Sequence, residues 1–478
     1  MHPLAQLDHA HVWHPFTQMQ DWLQREPIVL VGGEGTQLYA ADGKVYLDAN
    51  SSIWTNLHGH REPRLNRAME RQLAKVAHTS SLGFANEPAS LLAAELVQAA
   101  NPSLDSSQAN PSLGKVFYSD SGSTAVEVAL KLAYQHAIRR DISPQPRFLA
   151  LEGAYHGDTV GAVSLGHIDL FHESYRGLLF KSDRVMAPYC YRCPYNRAQP
   201  ERGDARLYRQ CQWECVGEVE RKVASAAGQG HPYAGFIFEP RMQGAAGMVP
   251  QPDGWLARVG KIARQAGTLL IADEVMTGFG RTGNGNGPEP LLFASHHEGI
   301  QPDFMALAKG LTGGYMPMAA TLTTQAVFAS FLGRYDEFKT FFHGHSYTGN
   351  QLGAAVGLES LNLLREPAHL ARRQHLEKIL GERLQRLWKL AAVGDVRQAG
   401  LVAGIELVKD WRTREPYALA EQAGIRVCEA MAKQGVLTRP IGSIIVLMPP
   451  YCTTDAELER MVEVIETAIR EVLGSGVI

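Results

Sequence analysis

The sequence predicts an α/β protein, with a large domain built on a mainly parallel sheet covered by helices and a smaller α+β domain. Three observations lead there. Short apolar, β-rich runs alternate with longer amphipathic ones; several of the short runs end in carboxylate, glycine or lysine; and the stretch from about residue 345 turns to long charged helices.

The elements follow in order. "GKVFY" (114–118) reads as a strand, and "SGSTAVEVALKLAYQHAIRR" behind it places Val126, Ala129, Leu130, Ala133 and Ala137 on one helical face. "RFLALEG", "AGFIFEP", "TLLIADEV" and "AATLTT" repeat the short apolar signature, and "GWLARVGKIARQAG" is the helix between two of them. Strand and helix in turn make βαβ units, hence a largely parallel sheet with both faces covered. "ARRQHLEKILGERLQRLWKLA" and "DAELERMVEVIETAIREVL" supply the charged helices of the smaller unit. "NPSLDSSQANPSLG" (101–114) repeats Asn-Pro-Ser-Leu and is expected to be a surface loop.

The chain has 478 residues, enough for a large core in two or three domains. With 45% hydrophobic and 20% charged residues it has the composition of a soluble globular protein. A net charge of −3 leaves no general basic field for nucleic acid or an anionic membrane, so small molecules are the expected partners. "MHPLAQLDHAHVWHPF" has no cationic segment followed by an apolar run, and a cytoplasmic location is expected. Among six cysteines, Cys190-x2-Cys193 and Cys211-x3-Cys215 come close to zinc-site spacing. The irregular segment between them and a size that needs no metal staple favour reduced thiols in a surface excursion, and no metal is expected.

The chemistry gathers around Lys309, which ends the apolar run of "LAKGLTGGYMP" and precedes a glycine-rich turn. An ammonium there loses hydration, so it must be paired, driven towards its neutral form or used covalently. Asp273 and Glu274 close another strand, where parallel sheets bind ligands. Gly122, Ser123 and Thr124 open a helix whose free N–H groups can hold a phosphate. Tyr155 and His156 stand just past a third strand and offer an aromatic face. Lysine, carboxylate, phosphate cradle and aromatic plate are together the parts needed for pyridoxal 5′-phosphate.

"DEVMTGFGRTG", "PDFMALAKGLTGGYMPMAA" and "HGHSYTGNQLGAAVGLESL" resemble the class III aminotransferases of the type I pyridoxal-phosphate fold, over nearly the whole chain. "VWHPFTQM", "SSIWTNLHGH", "YHGDTVGAVSLG" and "LTRPIGSIIVLMPPY" are similar to the members of that family that aminate 8-amino-7-oxononanoate in biotin synthesis. The resemblance implies that Lys309 carries the cofactor and moves the proton, that Asp273 partners the pyridine nitrogen, and that Gly122 and Ser123 bind the phosphate. Tyr155 would stack on the ring. Ser346, in "HGHS" where the family has "HGPT", would reach the phosphate of a neighbouring subunit, so a homodimer with shared active sites is implied. Arg439 of the Arg-Pro motif would hold the carboxylate of the keto substrate. Phe16, Trp54, Tyr155, Asp158 and Gly344 would complete the substrate pocket.

The same resemblance implies ping-pong transfer of an amino group to 8-amino-7-oxononanoate, giving 7,8-diaminononanoate. It divides the chain into residues 1–75, which would serve the small domain and the active site, a large cofactor-binding domain at 76–344, and a small domain at 345–478. Members that use S-adenosylmethionine as donor typically have Tyr at the place of Phe16 and a Trp pair at Ile53-Trp54, and lysine users have Phe and an aliphatic residue. Those two positions lean to lysine, and the donor stays open between the two. Another class III aminotransferase, acting on a diamine or ω-amino acid, is the alternative. "GFGRTG" also fits the dinucleotide pattern Gly-x-Gly-x-x-Gly, but the "NGNGPEP" that follows cannot open the helix such a site needs.

Overall fold

The computed structural model describes residues 1–102, 112–166, 168–285, 290–474 and 476. Most of the expected loop at 101–114, and part of the "NGNGPEP" segment, lie outside the described residues.

A seven-stranded sheet organises the large unit. Its strands are β1 (Leu113–Ser119), β2 (Arg147–Leu151), β3 (Asp183–Val185), β4 (Tyr233–Phe238), β5 (Leu269–Asp273), β6 (Phe304–Leu307) and β7 (Ala319–Thr324). The spatial order is β1-β7-β6-β5-β4-β2-β3. The pairs β6–β5, β5–β4, β4–β2 and β2–β3 are parallel, while β7 runs antiparallel to both of its neighbours. "AATLTT" is therefore the one reversed strand, a point its composition could not disclose. Every residue of β4, β6 and β7 is buried, as expected where helices cover both faces.

Helix α1 (Gly122–Arg139) starts three residues after β1. Ser121 is its N-cap, and a reciprocal capping box joins the Ser121 and Thr124 hydroxyls to each other's backbone N–H groups. All five positions of the expected apolar face are buried, and burial of each larger one is worth roughly 1.5–3 kcal/mol. Because β7 reverses, β1 runs with the parallel strands, and the carboxyl ends of β1, β2, β4, β5 and β6 meet at one edge.

The C-terminal stretch folds as expected for an α+β unit. Val393–Ala399, Val402–Asp410, Ile444–Leu447 and Pro440–Ile441 make an antiparallel sheet, with helices Pro367–Leu384, Ala423–Lys433 and Asp455–Leu473 in the same stretch. The N-terminal meander Leu30–Glu34, Gln37–Ala40 and Val45–Asp48 takes Val436–Leu437 as a parallel fourth strand. Among the described residues no helix is long and apolar enough to cross a membrane.

Candidate active site

The strand ends enclose a cavity of about 680 Å³ lined by Gly122, Ser123, Tyr155, His156, Asp158, Asp273, Lys309 and Trp54, among others. Residues far apart in sequence are thus brought together as the strand-end reasoning expected.

Lys309 opens a short 3-10 turn directly after β6 and has φ +45°, a left-handed conformation unusual for a lysine. Its Nζ lies 4.9 Å from the centre of the Trp54 ring. Desolvation lowers its pKa, opposed by the charges of Asp273 and Glu239. A lysine moved towards neutrality is what a nucleophilic or basic amine requires.

Asp273 is held from two sides. His156 Nδ1 donates to its Oδ2 at 2.7 Å, and the Val275 N–H donates to its Oδ1 at 3.0 Å. Both side chains are almost fully buried, and His156 Nε2 has no hydrogen-bond partner among the described residues. His156, which the sequence offers as an aromatic beside Tyr155, serves here to fix the carboxylate.

At the other end, the first turn of α1 points Gly122 and Ser123 N–H groups outward with no intrahelical acceptor. A Cβ on Gly122 would lie 2.6 Å from Val275, so only glycine allows this approach. The Ser123 hydroxyl is already engaged. Thr159 Oγ1 donates to Glu127 Oε1 at 2.7 Å, so Ser123 must be the donor in its own 2.7 Å contact with Thr159 Oγ1. Glu127 Oε1 also accepts the N–H of Gly161 at 2.8 Å, tying the Tyr155–Thr159 loop to the cradle. Nothing in the periodicity of α1 distinguishes Glu127 from an ordinary helix glutamate.

Tyr155 donates its hydroxyl to Asp158 Oδ2 at 2.6 Å, stacks at 11° on His172 with centroids 6.1 Å apart, and meets Phe16 edge-on at 6.5 Å. Phe16 is exposed, lies outside the cavity lining, and also contacts Phe171. Glu239, which no sequence motif singles out, directly follows β4, lines the cavity, and accepts the N–H groups of Tyr155 at 3.2 Å and Gly244 at 2.8 Å. Burial, with Asp273 nearby and only partly offset by His156 and the two N–H groups, pushes its pKa up to about 7.

Trp54 arrives by an unusual route. Ser51, Ser52, Ile53 and Trp54 have φ of 46°, 48°, 63° and 71°, four consecutive left-handed residues without a glycine. That conformation costs roughly 1–2 kcal/mol per residue. No sequence pattern signals it.

Besides Phe16, three expected residues are not brought to the cavity lining of this chain. Gly344 and Ser346 are exposed, the latter giving its carbonyl to His78 Nε2 at 2.7 Å. Arg439 is exposed and makes no hydrogen bond or ion pair among the described residues. The cysteine excursion is less superficial than expected: Cys190 and Cys215 are buried, Cys193 and Cys211 half-buried, and all are free thiols. Among the described residues no group of three or more His, Cys, Asp or Glu could hold a metal ion.

A reactive amine, a clamped carboxylate and a helix N-terminus that excludes any side chain at Gly122 suit an aromatic, phosphate-bearing aldehyde cofactor. The model for aminotransferase class III matches residues 19–469, and the chain belongs to that family, whose cofactor is pyridoxal 5′-phosphate. Among its relatives is the adenosylmethionine-8-amino-7-oxononanoate aminotransferase of Geobacter sulfurreducens, 46% identical over 98% of each chain. The enzyme of that name from Aquifex aeolicus is 42% identical over 98% of this chain and 97% of its own. Of solved structures, the enzyme of that name from Methanocaldococcus jannaschii superposes with a TM-score of 0.87 at 38% identity, covering 98% of this chain and 99% of its own. An omega transaminase from Pseudomonas jessenii in complex with PMP gives 0.87 at 27% identity, covering 99% and 100%.

Proposed function

We propose that this aminotransferase converts 8-amino-7-oxononanoate to 7,8-diaminononanoate in biotin biosynthesis, with S-adenosylmethionine as amino donor. The observation that carries it is the meeting of Lys309, Asp273, Tyr155 and the α1 N-terminus in one cavity, in a chain that matches enzymes of that name over its whole length.

Bound pyridoxal 5′-phosphate supplies an electron sink that lets the amino-bearing carbon lose its proton. Lys309 would hold the cofactor through Nζ, and its freed amine would carry the proton away from the amino-bearing carbon. Asp273, fixed by His156, would pair with the ring nitrogen. Gly122 and Ser123 offer N–H groups to the phosphate, Ser123 through its backbone because its hydroxyl faces Thr159. Tyr155 and Trp54 form walls of the cavity, and Phe16 meets the Tyr155 ring edge-on from outside the lining.

Charge supports the choice of substrates. Asp120, Asp158 and Asp273 line the cavity, and among the described residues lining it Lys309 is the one Lys or Arg, which suits a positively charged donor. The carboxylate of the keto acid needs a cation from elsewhere, and Arg439 is an unpaired candidate. It follows Val436–Leu437, the strand paired with Val45–Asp48 that leads to Trp54. Its planar fork suits a carboxylate. Ser346 and Gly344, exposed on this chain, serve the cavity of a second copy in a cytoplasmic homodimer. The three larger sheets support the division at residues 75 and 344, with the meander bridging to the C-terminal unit.

Lysine as donor is the second reading, favoured by Phe16 and Ile53. Purified protein incubated with 8-amino-7-oxononanoate and each donor in turn tests the proposal. Diamine formation with S-adenosylmethionine is the expected result. No diamine with either donor, in protein that transaminates a simple diamine or ω-amino acid, would move the enzyme to another branch of the family.

A further inference from the structure

The left-handed turn Ser51–Trp54 is a costly way to present an indole, and such backbone persists only where its surroundings over-determine it. Those surroundings centre on one carboxylate. Asp48, 3% exposed, accepts the N–H groups of Asn50 and Ser52 on Oδ1, each at 3.1 Å. Its Oδ2 accepts the Ser52 hydroxyl at 3.0 Å and faces His60 Nε2 at 3.1 Å. Inside the turn, Trp54 N–H donates to Asn50 O at 2.9 Å, Thr55 N–H to Ser51 O at 2.9 Å, and the Trp54 indole N–H to Asn50 Oδ1 at 3.0 Å. The Ser51 hydroxyl ties the turn to Met448 O at 2.7 Å. The product of these bonds is an indole standing over Lys309 and backed by Met276, which also packs at Gly244.

We propose that Asp48 is a positioning residue for transamination: by holding Ser51–Trp54 left-handed, it sets where the Trp54 wall stands and so how tightly the substrate is held beside Lys309. Asp48 does not line the cavity, and its side-chain hydrogen bonds go to the turn and to His60. The proposal rests on the substrate reading above only for the choice of assay. Burial works against its charge, but the His60 ring and the Ser52 and Asn50 donors outweigh that and hold the Asp48 carboxyl below its usual range, so it stays ionised at neutral pH.

The turn's demand for left-handed backbone provides the test, because glycine adopts that conformation freely. Asp48→Ala should raise KM for the donor by about tenfold or more while kcat changes less than about threefold. Adding Ser52→Gly to Asp48→Ala should recover most of that KM and of the lost thermal midpoint. The rise in thermal midpoint from Asp48→Ala to the glycine-bearing variant is a readout that needs no substrate and stands even if the donor is another amine. An Asp48→Ala protein with unchanged KM, or one that glycine fails to rescue, overturns the proposal. Should Asp48→Ala alone not fold, the glycine-bearing variant decides: folded with near wild-type KM supports the role, and unfolded or with raised KM overturns it.

Discussion

The carboxylate of Asp273 and the imidazole of His156 meet at 2.7 Å with both side chains almost wholly buried. One residue comes from the end of β5 and the other from the loop after β2, so the bond fixes two strand ends as well as one charge. His156→Ala leaves a buried carboxylate oxygen without its donor, a loss of about 1–3 kcal/mol. Cofactor affinity should fall by the corresponding factor, read by titrating cofactor-free protein. Asp273→Asn should keep the fold and lose about 3–4 kcal/mol of transition-state stabilisation in kcat.

Glu239 predicts a pH dependence of stability. Its folded pKa of about 7 stands above the ordinary 4.5, so the folded state prefers the neutral acid. That preference is fully satisfied below about pH 4.5 and lost as pH rises to 7, at a cost of about 3 kcal/mol. Glu239→Gln removes the titration. Thermal midpoints of cofactor-free protein should therefore show the wild type losing stability relative to the glutamine variant between pH 5 and pH 8.

Glu127 should matter for the cofactor without touching it. Glu127→Ala strips the acceptor from Thr159 Oγ1 and the Gly161 N–H and frees the Ser123–Thr159 latch. Cofactor affinity should weaken by about 1–3 kcal/mol, measured as a dissociation constant, with kcat at saturating cofactor much less affected.

Arg439→Ala should cost about 2–5 kcal/mol in kcat/KM for the keto acid, and less in the half-reaction with the donor. Equal damage to both halves would make Arg439 a structural residue. Phe16→Tyr with Ile53→Trp should shift donor preference towards S-adenosylmethionine, followed as single-turnover consumption of bound cofactor by each donor.

Much of this was legible in the sequence, and the exceptions have physical reasons. The strands β1, β2, β4 and β5 are short apolar runs closed by turn residues, and the amphipathic period of α1 names its buried face. Lys309, Asp273, Gly122, Ser123 and Tyr155 stand out because strand ends concentrate function. Glu239 and Glu127 did not, since a glutamate's role here depends on which backbone N–H groups the fold brings to it. The turn at Ser51–Trp54 was invisible because its residues lack the glycine or asparagine that ordinarily announce left-handed backbone. Arg439 and Ser346 were visible as motifs, yet a single chain does not bring them to the cavity.

The central claim is that Lys309 carries the cofactor and moves the proton. Borohydride reduction of the cofactor-loaded protein followed by intact-mass measurement tests it most directly, alongside turnover of the same sample. Wild type should gain one cofactor mass fixed to the peptide containing Lys309, and Lys309→Ala should gain none and lose turnover. A Lys309→Ala protein that still fixes the cofactor, or turns over undiminished, would contradict the account.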